Sequence, residues 1–265
     1  MRLCEAWHRI RIDHGSAEAY IARTKAILEA GRLEPTLYWN RTSEEAVVVG
    51  PSVRGSEIDP SFDSVHLVRR QSGGGAVLLG PGVLGMDVFL PAGHSLLSGD
   101  VVKDYRWLGE VWQGMFRRLG IETRLISVAD AREQTRRASR TPEAKLACFG
   151  LYSPFEVAVG AKKIVGLSQV RRSSGVLFAS AVHIHSRPSD LARVLKLSGS
   201  SRRRLASHLN HAATSLDEVA SRAIKMNELV KTFEDVLFDR YEISFSEAAY
   251  NESITDSWSA ATVPE

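Results

Sequence analysis

RRQSGGGAVLLGPGVLGMDV, residues 69–88, sets six glycines and one proline among short apolar runs. AVLL (76–79) and VLGMDVFLP (83–91) are separated by Gly80-Pro81-Gly82, which is the punctuation of strand connections. Gly73-Gly74-Gly75 therefore follows one strand and precedes another. It lacks the helix N-terminus on which Walker-type and dinucleotide-binding loops hold phosphate. Three residues without Cβ instead permit close approach to the main chain and offer free N–H groups to a carbonyl or phosphate, the alternative being a tight bend in a twisted sheet.

Upstream, residues 5–12 predict a first strand, and TLYW (36–39), AVVVG (46–50) and VHLVRR (65–70) predict three more. SAEAYIARTKAILEAG predicts a helix from a capping Ser16 to Gly31, with Tyr20, Ile21, Thr24, Ile27 and Leu28 at helical spacing. Downstream, VVKDYRWLGEVWQGMFRRLG (101–120) predicts a second helix that buries Val101, Tyr105, Leu108, Trp112, Met115 and Leu119 and stops at Gly120. Residues 127–153 are polar with little periodicity and predict a long functional loop that delivers Cys148. FEVAV (155–159) and KIVGLSQV (163–170), joined by Gly160-Ala161-Lys162, predict a hairpin, followed by the strand VLFASAVHIH (176–185). From Pro188 the pattern turns helical, with a capping box at Ser215 and Glu218, and the last dozen residues look frayed. The expected architecture is α+β, a mostly antiparallel sheet with packed helices, in a single domain over residues 1–265 with a helical part from about 188.

At 265 residues, 44% hydrophobic and 25% charged, the chain has the composition of an ordinary globular protein. No apolar run approaches the ~18 residues of a membrane span, and MRLCEAWHRIRID lacks a signal-peptide core, so the expected location is the cytoplasm with no membrane association. A net charge of +3 is too modest for a dedicated nucleic-acid binder. Its basic clusters, such as Arg136-Arg137 and Arg202-Arg203-Arg204, lack interleaved aromatics and suit a solvated face or an acidic partner protein.

Cys4 and Cys148 are the only cysteines, with no C-x-x-C pair, and both read as free thiols. Cys148 in KLACFG has apolar neighbours, which fits an inert core thiol, but its place at the end of the polar stretch makes it a candidate nucleophile. A cation such as Lys163 within about 4 to 6 Å lowers a thiol by roughly 1 to 3 units. Lys163 opens an apolar strand and points inward beside Gly166 on this reading, whereas Lys162 is a solvated turn residue. His183-x-His185 and His208-x-x-His211 each lack a third ligand, so no metal is expected. GLSQV (166–170) is one glycine short of a nucleophile elbow.

Taken in order, VRRQSGGGAVLLGPGVLG, ACFGLYSPFE and GAKKIVGLSQVRR resemble signatures of the lipoate and biotin ligase and transferase superfamily: R-R-x-[ST]-G-G-G-x-V, C-F-x-x-x-S-x-[FY]-E and G-x-K-[IF]-x-G-x-[AS]-Q. The resemblance covers most of the chain and is nearest the cysteine-dependent octanoyltransferases and lipoyl or octanoyl amidotransferases. It implies a biotin/lipoate protein ligase-like catalytic domain with Cys148 as nucleophile and Lys163 on the acyl carbonyl. It also implies substrate contacts from Arg70, Ser72, Gly73, Gly74, Gly75, Gly166 and Gln169. The sequence departs from many relatives by carrying Leu79-Gly80-Pro81-Gly82 where they carry a histidine motif.

The function so implied is transfer of an octanoyl or lipoyl group through a Cys148 thioester to the lysine of a lipoyl domain. The donor would be an acyl carrier protein or a glycine-cleavage H-type protein, and no cofactor is required. Two alternatives stay open: an ATP- and Mg-dependent lipoate-protein ligase working through an acyl-adenylate, and a non-catalytic lipoyl-domain-binding protein.

Overall fold

The structure, a computed structural model, describes residues 4–30, 34–51, 53, 57–138 and 141–246. The chain begins with β1 (Glu5–Asp13) and α1 (Ala17–Glu29). Ser16 caps α1 as its spacing predicts, its hydroxyl accepting from the Ala19 N–H at 3.2 Å. The expected stop at Gly31 lies outside the described residues. Then come β2 (Thr36–Asn40), β3 (Ala46–Val49), β4 (His66–Arg69), β5 (Val77–Leu79) and β6 (Val83–Pro91). These fall on the predicted runs, because β-branched and aromatic residues between turn formers leave little choice but a strand.

A 3-10 turn at Lys103–Tyr105 leads into α2 (Arg106–Arg118). Trp107, Leu108, Val111, Trp112, Met115 and Phe116 form its buried stripe. Val101, expected inside, precedes the helix and is 51% exposed. Short β7 (Arg124–Leu125) is followed by α3 (Val128–Ala138), where a loop was expected. This helix buries little beyond Ala131 and carries the pair Arg137–Glu133 at 2.8 Å, one turn apart. A polar helix of that kind shows no apolar period for sequence reading to find.

β8 (Val157–Val159), β9 (Lys162–Arg172) and β10 (Gly175–His183) form the expected antiparallel run. α4 (Leu191–Val194), α5 (Gly199–Ala212), α6 (Leu216–Val219) and α7 (Met226–Tyr241) make the helical part, with the Ser215–Glu218 capping box at the start of α6. The C-terminal region is not wholly helical: β11 (Ile243–Ser246) returns to the sheet. The frayed last dozen residues of the sequence reading lie outside the described residues.

Among the described residues eight strands form one sheet in the order β11-β1-β2-β6-β10-β9-β8-β7, antiparallel except where β1 meets β2 and β11. A three-stranded sheet, β4-β3-β5, packs over its other face. Helices α2 and α7 cover the first face through an aromatic cluster: Trp112 and Phe233 lie 4.8 Å apart and Trp39 meets Phe233 edge-on at 5.2 Å. Among the described residues no helix is long and apolar enough to cross a membrane.

Candidate active site

Between the two sheets lies a cleft with a largely apolar lining. Val48, Val77 and Leu79 of the small sheet form its roof, and Gly85, Ala181 and Gly166 of the large sheet form its floor. Alternation along the strands explains the floor. Leu84, Met86 and Val88 on β6 enter the helix-covered core, so Gly85 must face the cleft.

Cys148 lines the cleft and is half-buried, while Cys4 is exposed on β1's approach. Its segment, a 3-10 turn over Cys148–Gly150, is held through a single parallel bridge between Ala147 and Ala76, the residue before β5. The Cys148 N–H donates to the Ala76 carbonyl at 2.8 Å and the Ala76 N–H to the Leu146 carbonyl at 2.6 Å. This pairing explains Gly75, where a Cβ would stand 2.7 Å from the Leu146 oxygen and 2.9 Å from the Cys148 nitrogen. Gly74 has φ +104° and lies close to the thiol, a Cβ there reaching 3.7 Å from Cys148 Sγ. Gly73 has no protein atom within 4 Å of the position a Cβ would take. The bare backbone thus first serves the protein's own Cys148-bearing segment. Among the described residues no main-chain hydrogen bond takes up the N–H of Gly73, Gly74 or Gly75.

Arg70 organises this turn. Its guanidinium donates to the carbonyls of Val48 (3.2 Å), Gly73 (3.0 Å) and Gly75 (2.9 Å) while lining the cleft. Ser72 is buried and accepts from the Ser168 hydroxyl at 3.0 Å, tying the glycine turn to β9. Gly166 lies on the floor beneath the Phe149 ring, 3.5 Å from where its Cβ would be.

Lys163 points inward and Lys162 outward, as expected. The ammonium, however, does not line the cleft. It donates to the Cys148 carbonyl at 2.8 Å, to the Leu151 carbonyl, and to Glu156 at 2.9 and 3.1 Å, which places it beneath the main chain that carries Cys148. Glu156 was not singled out in the sequence, although the C-F-x-x-x-S-x-[FY]-E pattern ends on it. It also accepts from the backbone N–H groups of Ser153 (2.7 Å) and Leu167 (3.0 Å), and burial pushes its carboxyl up against the pull of Lys163.

Gln169 is not brought to the cleft. It shares a face with Val165 and Leu167, donating to the Val101 carbonyl at 2.7 Å and accepting from Arg171 at 3.0 Å. The histidine pairs disperse. His183 is buried against Phe149, with burial pulling its pKa down to about 3, and His185 sits past the strand beside Asp217. His208 reaches from α5 to the Gly150 carbonyl at 2.7 Å, bracing the Cys148 turn, and His211 bonds its own helix. Among the described residues no three His, Cys, Asp or Glu side chains cluster as metal ligands.

This arrangement places a thiol in an apolar cleft beside the glycine turn, and a thiol so placed can form a covalent thioester with an acyl group. The lipoyl protein ligase A/B catalytic domain matches residues 17–238. Proteins described as octanoyltransferase LipM, from an Exiguobacterium species and from Moorella thermoacetica, are each 27% identical, over 90% and 91% of this chain and 88% of their own. Among solved structures, the bi-partite lipoate protein ligase of Thermoplasma acidophilum superposes with a TM-score of 0.73 at 20% identity, covering 94% of this chain and 89% of that one.

Proposed function

Because this chain belongs to the lipoyl protein ligase A/B catalytic domain family, we propose that it is an acyltransferase that moves an octanoyl or lipoyl group onto the lysine of a lipoyl domain, the described fold acting as one catalytic unit. The observation that carries this reading is the delivery of the Cys148 thiol to the cleft by its pairing with Ala76. Cys148 as thiolate attacks the carbonyl of an acyl thioester, and the donor's thiol leaves. The lysine amine of the lipoyl domain then attacks the Cys148 thioester, forming the amide and returning the thiol. The N–H groups of the glycine turn are the candidate oxyanion donors. Lys163 positions the nucleophile, since its ammonium donates to the carbonyl of Cys148 itself, and Glu156 accepts from that ammonium and holds it in place.

A thioester arrives already activated, so the reaction needs no nucleotide; an acyl carrier protein or a glycine-cleavage H-type protein suits the donor role. Intact-mass measurement after incubation with an octanoyl thioester tests the reading. The expected result is one octanoyl adduct, released by neutral hydroxylamine, present in Cys4→Ala and absent from Cys148→Ala. An adduct that persists in Cys148→Ala overturns it.

A further inference from the structure

The end of the cleft away from Cys148 is not hydrocarbon. Asn40, the last residue of β2, lines it at 3% exposure, and its Nδ2 has no hydrogen-bond partner. The amide is built in: a Cβ on Gly85 would stand 2.1 Å from Asn40 Oδ1, so the glycine opposite makes room for it. The register runs Asn40, Gly85, Ala181, Gly166 across four adjacent strands. That is three strand spacings, roughly 14 Å. Phe149, next to the nucleophile, lies over Gly166 at one end of this row, and Asn40 closes the other. Between them the floor carries no side chain larger than methyl. An acyl chain bonded to Cys148 and laid along the row therefore brings its tail to Asn40.

A plain alkyl tail leaves this Nδ2 unpaired, at a cost of about 1–3 kcal/mol for a buried polar group. A leucine would serve such a tail better. We propose that Asn40 is the tail-recognising residue of the cleft, and that the acyl chain this site accepts best carries a hydrogen-bond-accepting heteroatom near its distal end. This specifies the substrate within the transfer reaction proposed above and rests on that reading for the direction of the chain. A dithiolane sulfur and a hydroxyl oxygen share the required chemistry. Sulfur is the weaker acceptor.

Binding can be separated from chemistry by using Cys148→Ala protein and measuring affinities for octanoic, lipoic and 8-hydroxyoctanoic acids by calorimetry. The expected result is about tenfold tighter binding of at least one heteroatom-bearing acid than of octanoic acid, and the two arms show which heteroatom is read. Adding Asn40→Leu should bring that ratio to one or below. Asn40→Ala, which removes the amide without adding bulk, should also bring it near one and covers the case in which the leucine variant does not fold. Equal or tighter binding of octanoic acid by the parent, a ratio unmoved by both substitutions, or no binding of any of the three overturns the inference. Failure of the Cys148 adduct with the binding preference intact removes the transfer reading and leaves Asn40 as the reader of the tail.

Discussion

On β6 the side chains of Leu84, Met86, Val88 and Leu90 enter the core beneath α2 and α7, while Gly85 on the opposite face floors the cleft. β10 repeats the division, with Val176, Phe178 and Val182 on the helix side and Ala179 and Ala181 on the cleft side. The same strands thus fill one face for the core beneath α2 and α7, while the other is bare only at Gly85, Ala179 and Ala181, and further along it Phe89 and Leu177 pack with Ile27 and Leu28 of α1. Stability and substrate space are assigned to opposite faces by a period of two.

The largest expected effect breaks each face separately. Phe233→Ala should cost about 3–5 kcal/mol in urea unfolding, as large-to-small changes in packed aromatic cores do. Ala181→Leu should leave unfolding within about 1 kcal/mol, since the added carbons enter open space, yet reduce acyl transfer by roughly 100-fold or more through a blocked floor. Comparable losses of stability from both would mean that the faces are not divided in this way.

The next effect concerns the ion pair beneath Cys148. Lys163→Ala should lower transfer by roughly 100-fold through misplacement of Cys148 and destabilise by about 3–5 kcal/mol, because Glu156 is left buried without its partner. Lys162→Ala should do neither. The double change Lys163→Met with Glu156→Leu should recover much of the stability while leaving alkylation of Cys148 and transfer slow. Recovery of full activity in that double variant would deny the pair its positioning role.

A smaller effect follows from Asp87, the polar exception on the cleft side of β6. Burial pushes its carboxyl up to about 7 although Tyr20 (3.1 Å) and Thr24 (3.2 Å) donate to it. The folded chain therefore keeps Asp87 protonated where the unfolded chain, titrating near 3.9, has already ionised. Its contribution is fully present below about pH 4 and is lost as pH rises through 7. Asp87→Asn should gain on the parent by about 2–3 kcal/mol between pH 5 and pH 8 in chemical unfolding. A difference independent of pH would remove Asp87 as the cause.

The smallest expected effect is none. Pyrophosphate exchange with octanoate or lipoate in the presence of ATP and magnesium should stay at background. Robust exchange that Cys148→Ala leaves unchanged would favour the ligase reading.

Strands and helices with a strong period were legible in the sequence. β6 occupies Val83–Pro91 as predicted, and α2 buries Leu108, Trp112 and Met115 of its predicted stripe, while Val101, Tyr105 and Leu119 lie beyond its ends. α3 was not, because Ala131 is nearly all it buries; nor was β11, a four-residue strand whose partner lies at the other end of the chain. In the site, local motifs pointed to Cys148, the glycine turn and the inward lysine. They gave no hint of where the Lys163 ammonium goes, since its partners arrive from residues 148, 151 and 156 by way of a turn. Gln169 shows the opposite case: three positions from Gly166 on one strand, it could not share a face with it.

The pairing of β1 with β11 joins Glu5 to Ile243 and His8 to Ser246. On a chain emerging from the ribosome, the outer edge of β1 stays open throughout synthesis of everything between, and an open edge is a template for another strand. Late closure of this seam makes the nascent or C-terminally clipped protein prone to self-association, so the short strand after α7 acts as the cover that ends that exposure.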